Sequence, residues 1–113
     1  MDTLTHYQTL MQNLQEEYCA WYSQGEEHGV DLEVIADETH GQYQLMRVGW
    51  HGESRIRKQI FYVRLKNGKF WIEEDWTEEG IANELVRLGV PRSEIVLAFN
   101  PPEMRPYTEF AVA

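Results

Sequence analysis

The sequence predicts a single α+β domain over residues 1–113: a long N-terminal helix, a four-stranded antiparallel meander, a second helix and a short extended C-terminal segment. Three observations predict this class. Apolar residues near the N-terminus recur every three or four positions, the period of a helix that buries one face. Apolar and polar residues then alternate through the middle of the chain, between clusters of turn residues. Beyond residue 88, glycine and proline interrupt the pattern again.

The first helix is predicted over residues 3–22. Asp2 or Thr3 can cap its start, and the run at residues 23–25 ends it. The stripe is shorter than three heptads, so a core-facing helix is favoured over a coiled coil. The residues of the stripe are Leu4, Tyr7, Met11, Leu14, Tyr18 and Trp21.

The strands are recognised by alternating polarity and by the turns between them. The pair Asn67-Gly68 is the strongest hairpin signal in the chain. A two-residue turn at that point pairs Arg64 with Trp71 and Tyr62 with Glu73. The four strands are predicted over residues 31–37, 43–50, 55–66 and 69–74.

The hairpin registers predict which side chains share the outer face of the sheet. If residues 51–54 form the other turn, Ile60 lies opposite Leu45 and Tyr62 lies opposite Tyr43. Such a face is too apolar to remain in water, so either a helix covers it or another molecule binds it. The predicted outer face consists of Tyr43, Leu45, Ile60, Tyr62, Arg64 and Trp71.

The second helix is predicted to start after Asp75, which precedes Glu78 by the spacing of a capping box. It continues through Leu88, and Gly89 is placed to end it. Residues 91–94 predict a short turn and residues 95–99 an extended segment. The apolar tail at 106–113 is expected to be ordered and to pack on the domain or on a second copy.

Charge is unevenly distributed along the chain, whose formal net charge is −9. Residues 1–41 contain nine acids and no Lys or Arg, whereas residues 42–69 contain seven bases and one acid. Residues 70–113 are acidic again. The basic middle fits either neutralisation by acidic neighbours or a local basic face aimed at an acidic partner or phosphate.

Residues with catalytic chemistry do not form a recognisable site in the sequence. The histidines lack metal-ligand spacing, and the single cysteine, Cys19, excludes an internal disulfide. Adjacent acids such as Glu78 and Glu79 point apart, whereas acid–base hydrolysis needs facing carboxylates with separated pKa values. We therefore expect no enzymatic activity, no cofactor and no metal site, with a small hydrolase as the least favoured class.

Hydropathy predicts the location of the protein. No apolar run reaches the roughly 18 residues that a membrane span needs. We expect a cytoplasmic protein that does not contact a membrane.

A recognisable pattern is formed by Leu4 and by residues 6–7, 43–50, 68–72, 77–78, 81–82, 88–91, 95–99, 101–102 and 105–113. Together these segments resemble the XisI family, the family of the fdxN element excision controlling factor. The similarity covers nearly the whole chain and is most specific in its last third. Asn100 stands where members often have His, and Trp76 occupies a position associated with Gly.

The resemblance implies an accessory role rather than a reaction. Members are small cyanobacterial α+β proteins, and the founding example acts with a XisH-type protein and a site-specific recombinase in excision of a DNA element during heterocyst differentiation. It implies a non-enzymatic regulatory protein that binds a XisH-type partner. It assigns no catalytic or binding residues.

The residues themselves suggest where a partner binds. Tyr, Trp and Arg dominate interface energies, so the predicted outer face is a candidate contact surface for a XisH-type protein or for a second copy in a homodimer. Arg55, Arg57 and Lys58 form a basic rim that would steer an acidic partner. The alternative is a DNA-binding accessory factor that uses the basic 47–69 hairpin, including Arg64 and Lys66.

Overall fold

The computed structural model describes residues 2–25 and 28–113 of the chain. The predicted order of elements is confirmed, and a short fifth strand is added to the four-stranded meander. Two 3₁₀ helices, Arg92–Glu94 and Pro102–Tyr107, lie on either side of that strand. The elements are α1 (Thr3–Ser23), β1 (Val30–Asp37), β2 (Gln42–His51), β3 (Ser54–Lys66), β4 (Lys69–Asp75), α2 (Ile81–Arg87) and β5 (Ile95–Val96).

The sheet follows chain order, β1-β2-β3-β4-β5. Strands β1 to β4 pair antiparallel, while β5 lies parallel to β4 and pairs Ile95 with Phe70. Because successive side chains of a strand point to opposite faces, one set of residues faces the helices and the other forms the outer face.

Helix α1 packs on the inner face of the sheet. The Asp2 carboxylate caps its start by accepting a hydrogen bond from the Thr5 backbone N–H at 2.8 Å. Met11 and Leu14 are buried as predicted, and the Tyr7 ring packs on Phe70 of β4. The two ends of the predicted stripe, Leu4 and Trp21, are exposed instead.

Buried apolar residues from every layer of the domain form one core. Burying such side chains contributes roughly 1.5–3 kcal/mol each, which is why the alternation of the strands specifies their register. The largest core residues are Tyr43, Phe61, Phe70, Met11, Leu14, Leu45, Ile60, Ile72, Ile81, Leu85 and Ile95.

Two β-bulges make part of the predicted register wrong. Between β2 and β3 the prediction holds as far as Met46 opposite Gln59, but Ile60 is an extra residue, so Leu45 pairs with Phe61. Between β3 and β4, Arg64 pairs with Trp71 as predicted, but Tyr62 pairs with Glu74. A bulge places two residues of one strand against one of its partner, and it shifts every later pair by one.

The start of the second helix also differs from the prediction. Helix α2 begins at Ile81, with Gly80 at its N-cap. The carboxylate of Asp75 accepts hydrogen bonds from the backbone N–H of Thr77 and, at 2.7 Å, from that of Ile81. The predicted capping box is therefore wrong: Asp75 holds the loop over residues 76–80 and bonds the first residue of the helix, but Gly80 is the N-cap.

The end of α2 forms a Schellman motif, with Gly89 at the C-terminal position that the sequence predicts for it. Gly89 adopts a φ of 98°, its N–H donates to Val86 O, and the N–H of Val90 donates to Leu85 O. Val90 is buried against the core. The left-handed conformation explains why glycine stands at this position.

Candidate protein-interaction surface

The outer face of the sheet carries a mixture of aromatic, amide and charged side chains. Both α-helices pack on the inner face, as Tyr7 on Phe70 and the buried Ile81 and Leu85 of α2 show. The central rows run across the strands. One is Asp37–Gln42–Arg64–Trp71, and the next is Ile35–Gln44–Tyr62–Glu74.

Three of the six residues predicted for this face lie on it. Tyr62, Arg64 and Trp71 are half-buried there. The Arg64 guanidinium pairs with the Glu73 carboxylate, with Nη2 and Oε2 2.8 Å apart. The Trp71 indole donates to Lys66 O at 3.0 Å. These contacts fix the positions of the Arg64 and Trp71 side chains.

The other three predicted residues belong to the core, which corrects the predicted surface. Tyr43 and Leu45 are fully buried on the inner face, and Ile60 is buried at the bulge. The bulge exchanges the faces of β2, so Gln42 and Gln44 stand outside where apolar residues were expected. A face with two glutamines in its centre tolerates water better than the predicted one.

The predicted basic rim is divided between the two sides of the sheet. Arg55 lies over the Trp50 ring at 5.2 Å, and Arg57 shares its face opposite Val48. Lys58 lies on the other side, where its ammonium is 4.7 Å from the Trp76 ring centroid. Only the first two of these three cations extend the outer face.

The C-terminal segment completes the outer face and was missed as part of the surface. The Arg105 guanidinium lies 5.7 Å from the Trp71 ring centroid and donates to the carbonyls of Asn100, Ala98 and Val112. The tail packs on the domain as predicted, through Ala111 and Phe110, although Tyr107 is 85% exposed. Nothing in the sequence around Arg105, which lies between two prolines, predicted that its side chain contacts Trp71.

A cleft of about 370 Å³ separates the C-terminal half of α1 from the start of α2. Its lining combines aromatic residues such as Trp21 with the carboxylates of Glu17, Glu78, Glu79 and Glu84. The ion pair with Arg87 lowers the pKa of Glu84. The hydrogen bond and charge of Arg87 thus favour the ionised form of this carboxylate.

A histidine and the single cysteine, which were considered as candidate site residues, contact neighbouring side chains of the domain. His40 pairs with Asp37 in the β1–β2 turn, with Nδ1 and Oδ2 2.6 Å apart. Cys19 is a half-buried free thiol against the core. Within residues 2–25 and 28–113, no cluster of three metal-ligating side chains occurs. None of the helices in that part of the chain is long and apolar enough to cross a membrane.

The fold and its surface define a small α+β domain whose sheet is covered by helices on one face and by a short tail segment on part of the other. The chain belongs to the XisI family, whose model, described as XisI protein, matches residues 1–112. Among curated proteins, none matches the chain.

Solved structures agree with this assignment. A XisI-like protein from Anabaena variabilis ATCC 29413 is 36% identical, with a TM-score of 0.91 over 97% of this chain and 99% of that one. The fdxN element excision controlling factor XisI from the same organism is 38% identical, with a TM-score of 0.85 over 99% and 100%. The fold prediction from the sequence is therefore confirmed.

Proposed function

We propose that the chain is a non-enzymatic excision controlling factor that acts by binding a XisH-type protein through the outer face of its sheet. Its similarity to an fdxN element excision controlling factor supports the role in excision. The contact surface, which we call the outer-face patch, consists of Trp50, Arg55, Arg57, Tyr62, Arg64 and Trp71.

One observation carries the choice of surface: the helices occupy one face of the sheet, whereas the other face presents aromatic and arginine side chains that remain exposed or half-buried. Tyr, Trp and Arg combine a large contact area with a polar group, and they dominate the energetics of protein interfaces. Trp50 is 53% exposed at one end of the patch. At the other end Trp71 lies close to two cations, Lys66 and Arg105.

Charge placement favours a protein over DNA as the partner. A duplex requires a positive surface that neutralises several phosphates. Here acids interrupt the outer face, because Glu73 neutralises Arg64 and Glu33 lies on the same face in β1. Direct DNA binding through the 47–69 hairpin is the second candidate, and a steep fall of affinity with salt would identify it.

The test is a double substitution in the outer-face patch, Tyr62→Asp with Arg57→Glu. Arg64 is left intact because removing its charge would leave Glu73 without its partner. We expect the circular dichroism spectrum to be retained and co-purification with a XisH-type protein of the host to be lost. Sizing chromatography of the chain alone shows whether a second copy uses the same face.

The matched control is Trp21→Asp with Asn13→Glu, which alters two exposed residues of α1 and breaks no ion pair. This control should bind the partner as the natural chain does. Unchanged co-purification of the patch variant would contradict the proposal. Loss of binding in the control alone would place the contact on α1.

A further inference from the structure

The two edge strands of the sheet differ in whether another segment of the chain pairs with their outer side. At the β5 edge, the Ala111 N–H donates to Ile95 O at 2.8 Å, and Ala111 forms a bridge with Val96. The tail thus covers that edge. At the opposite edge, β1 pairs with β2 on one side, and within the described residues no strand pairs with its other side. Eight residues of backbone, roughly 26 Å, form this open edge.

The hydrogen-bonding pattern shows which backbone groups face outward. The Trp50 N–H donates to Gly29 O at 3.1 Å, which makes these two residues a hydrogen-bonded pair. In an antiparallel ladder such pairs alternate along the strand. The backbone groups of Asp31 and Glu33 therefore bond β2, whereas those of Leu32, Val34 and Ala36 point away from the sheet.

The side chains of β1 give this edge a chemical preference. Asp31 and Glu33 lie on the outer face opposite Val48 and Met46 of β2, so no cation stands across from them. Within the described part of the chain neither acid forms an ion pair. Between them and the turn, Val34 and Ile35 are 39% and 40% exposed. The open edge therefore combines apolar contact area with uncompensated negative charge.

A second copy of the chain does not satisfy this edge. Antiparallel self-pairing centred on Val34 puts Asp31 opposite Asp37, and self-pairing centred on Glu33 puts that residue opposite itself. Centring on Leu32 puts Asp31 opposite Glu33. Like charges directly opposite each other destabilise a strand pair, so the edge disfavours its own sequence in each of these registers.

We propose that β1 receives an extended segment of a partner protein, which adds a strand to the sheet and carries Lys or Arg on the face of Asp31 and Glu33. The open N–H and C=O groups supply affinity, and the acids select the sequence of the added strand. This inference goes beyond the proposed function, because it concerns an edge outside the outer-face patch. Its test uses peptides rather than the XisH-type partner, so the two proposals can fail separately.

The experiment is an NMR titration of the full ¹⁵N-labelled chain with a synthetic peptide in which Lys alternates with Val. We expect shifts and slowed exchange at the amides of Leu32, Val34 and Ala36, and unchanged exchange at Asp31 and Glu33. A peptide with Glu in place of Lys should bind roughly tenfold more weakly, since two opposed pairs change sign.

Two variants test the two parts of the proposal. Val34→Pro removes an outward N–H without breaking a bond to β2, and proline is accepted at such edge positions, so it should abolish peptide binding in a folded chain. Asp31→Lys with Glu33→Lys should reverse the preference between the peptides, which decides the matter even if the proline variant unfolds. Equal affinity for both peptides, or no binding at millimolar peptide, would overturn the proposal.

Discussion

Gln15 holds α1 to the sheet although it is polar and only 1% exposed. Its side-chain amide donates to Ile35 O at 2.9 Å and to Gln44 O at 3.0 Å, so one residue of the helix ties β1 to β2. A buried amide is costly unless it is hydrogen-bonded, and these two carbonyls satisfy it. The residue lies beside the apolar stripe of α1, and because it is polar, the hydropathy pattern does not predict its burial.

Replacing this amide should destabilise the fold. Gln15→Ala removes both hydrogen bonds and leaves a small cavity, so we expect the free energy of unfolding to fall by about 1–3 kcal/mol. Gln12→Ala is the control, because that side chain is exposed where it bonds Glu38, and it should stay within about 0.5 kcal/mol. Urea denaturation measures both. Equal effects would show that the Gln15 bonds contribute nothing specific.

Gly49 allows β1 and β2 to approach each other closely. A Cβ atom at this position would lie 2.0 Å from Gly29 O and 2.9 Å from Val30 Cα. These are backbone atoms, so the strand itself must move. Gly49→Ala should therefore lower the melting temperature, whereas Gly25→Ala, which has open space around it, should not. A melting curve unchanged by Gly49→Ala would contradict the close approach.

At the scale of secondary-structure elements, the turn residues and the alternation of apolar residues predicted the strands well. They predicted the pairing between strands only in part. The Asn67-Gly68 turn correctly fixed Leu65 opposite Phe70, because a two-residue turn leaves one register. The bulge at Ile60 could not be predicted, since nothing in its alternation marks an extra residue. Three of the six residues predicted from the sequence for the outer face, Tyr43, Leu45 and Ile60, were consequently assigned to the wrong side.

The C-terminal segment depends on one arginine. Arg105 donates to the carbonyls of Ala98 and Asn100, which precede it, and to that of Val112 in the tail, and it lies near Trp71. Arg105→Ala should release residues 108–113, and the Ala111 amide, bonded to Ile95 O, should exchange faster with solvent. Hydrogen exchange measures this, with Arg87→Ala on α2 as control. Unchanged protection of Ala111 would show that its strand bridge suffices.

At the scale of the whole molecule, three tyrosines with raised pKa values make the stability of the fold sensitive to alkaline pH. Burial, together with Glu94, raises the pKa of Tyr7 to about 12. Burial and Glu84 raise the pKa of Tyr18, and burial raises that of Tyr43, each also to about 12. An unfolded tyrosine titrates near pH 10. The folded state therefore holds these protons more tightly than the unfolded state does.

Stability should accordingly be complete below about pH 10 and fall as the pH rises toward 12. Tyr43→Phe removes one of the three phenols, so its free energy of unfolding should decline less steeply over this range. Tyr107→Phe changes an exposed ring and should leave the slope unaltered. Urea titrations at several pH values measure the slope. A Tyr43→Phe slope equal to that of the natural chain would contradict the assignment.

The central claim is that a protein partner contacts the outer face of the sheet rather than the helices. Trp50 and Trp21 offer a matched pair of reporters, because they are 53% and 58% exposed on the outer face and on α1. Hydroxyl-radical footprinting of the complex with a XisH-type protein should protect Trp50 from oxidation and leave Trp21 as reactive as in the free chain. Protection of Trp21 with an unchanged Trp50 would contradict the claim.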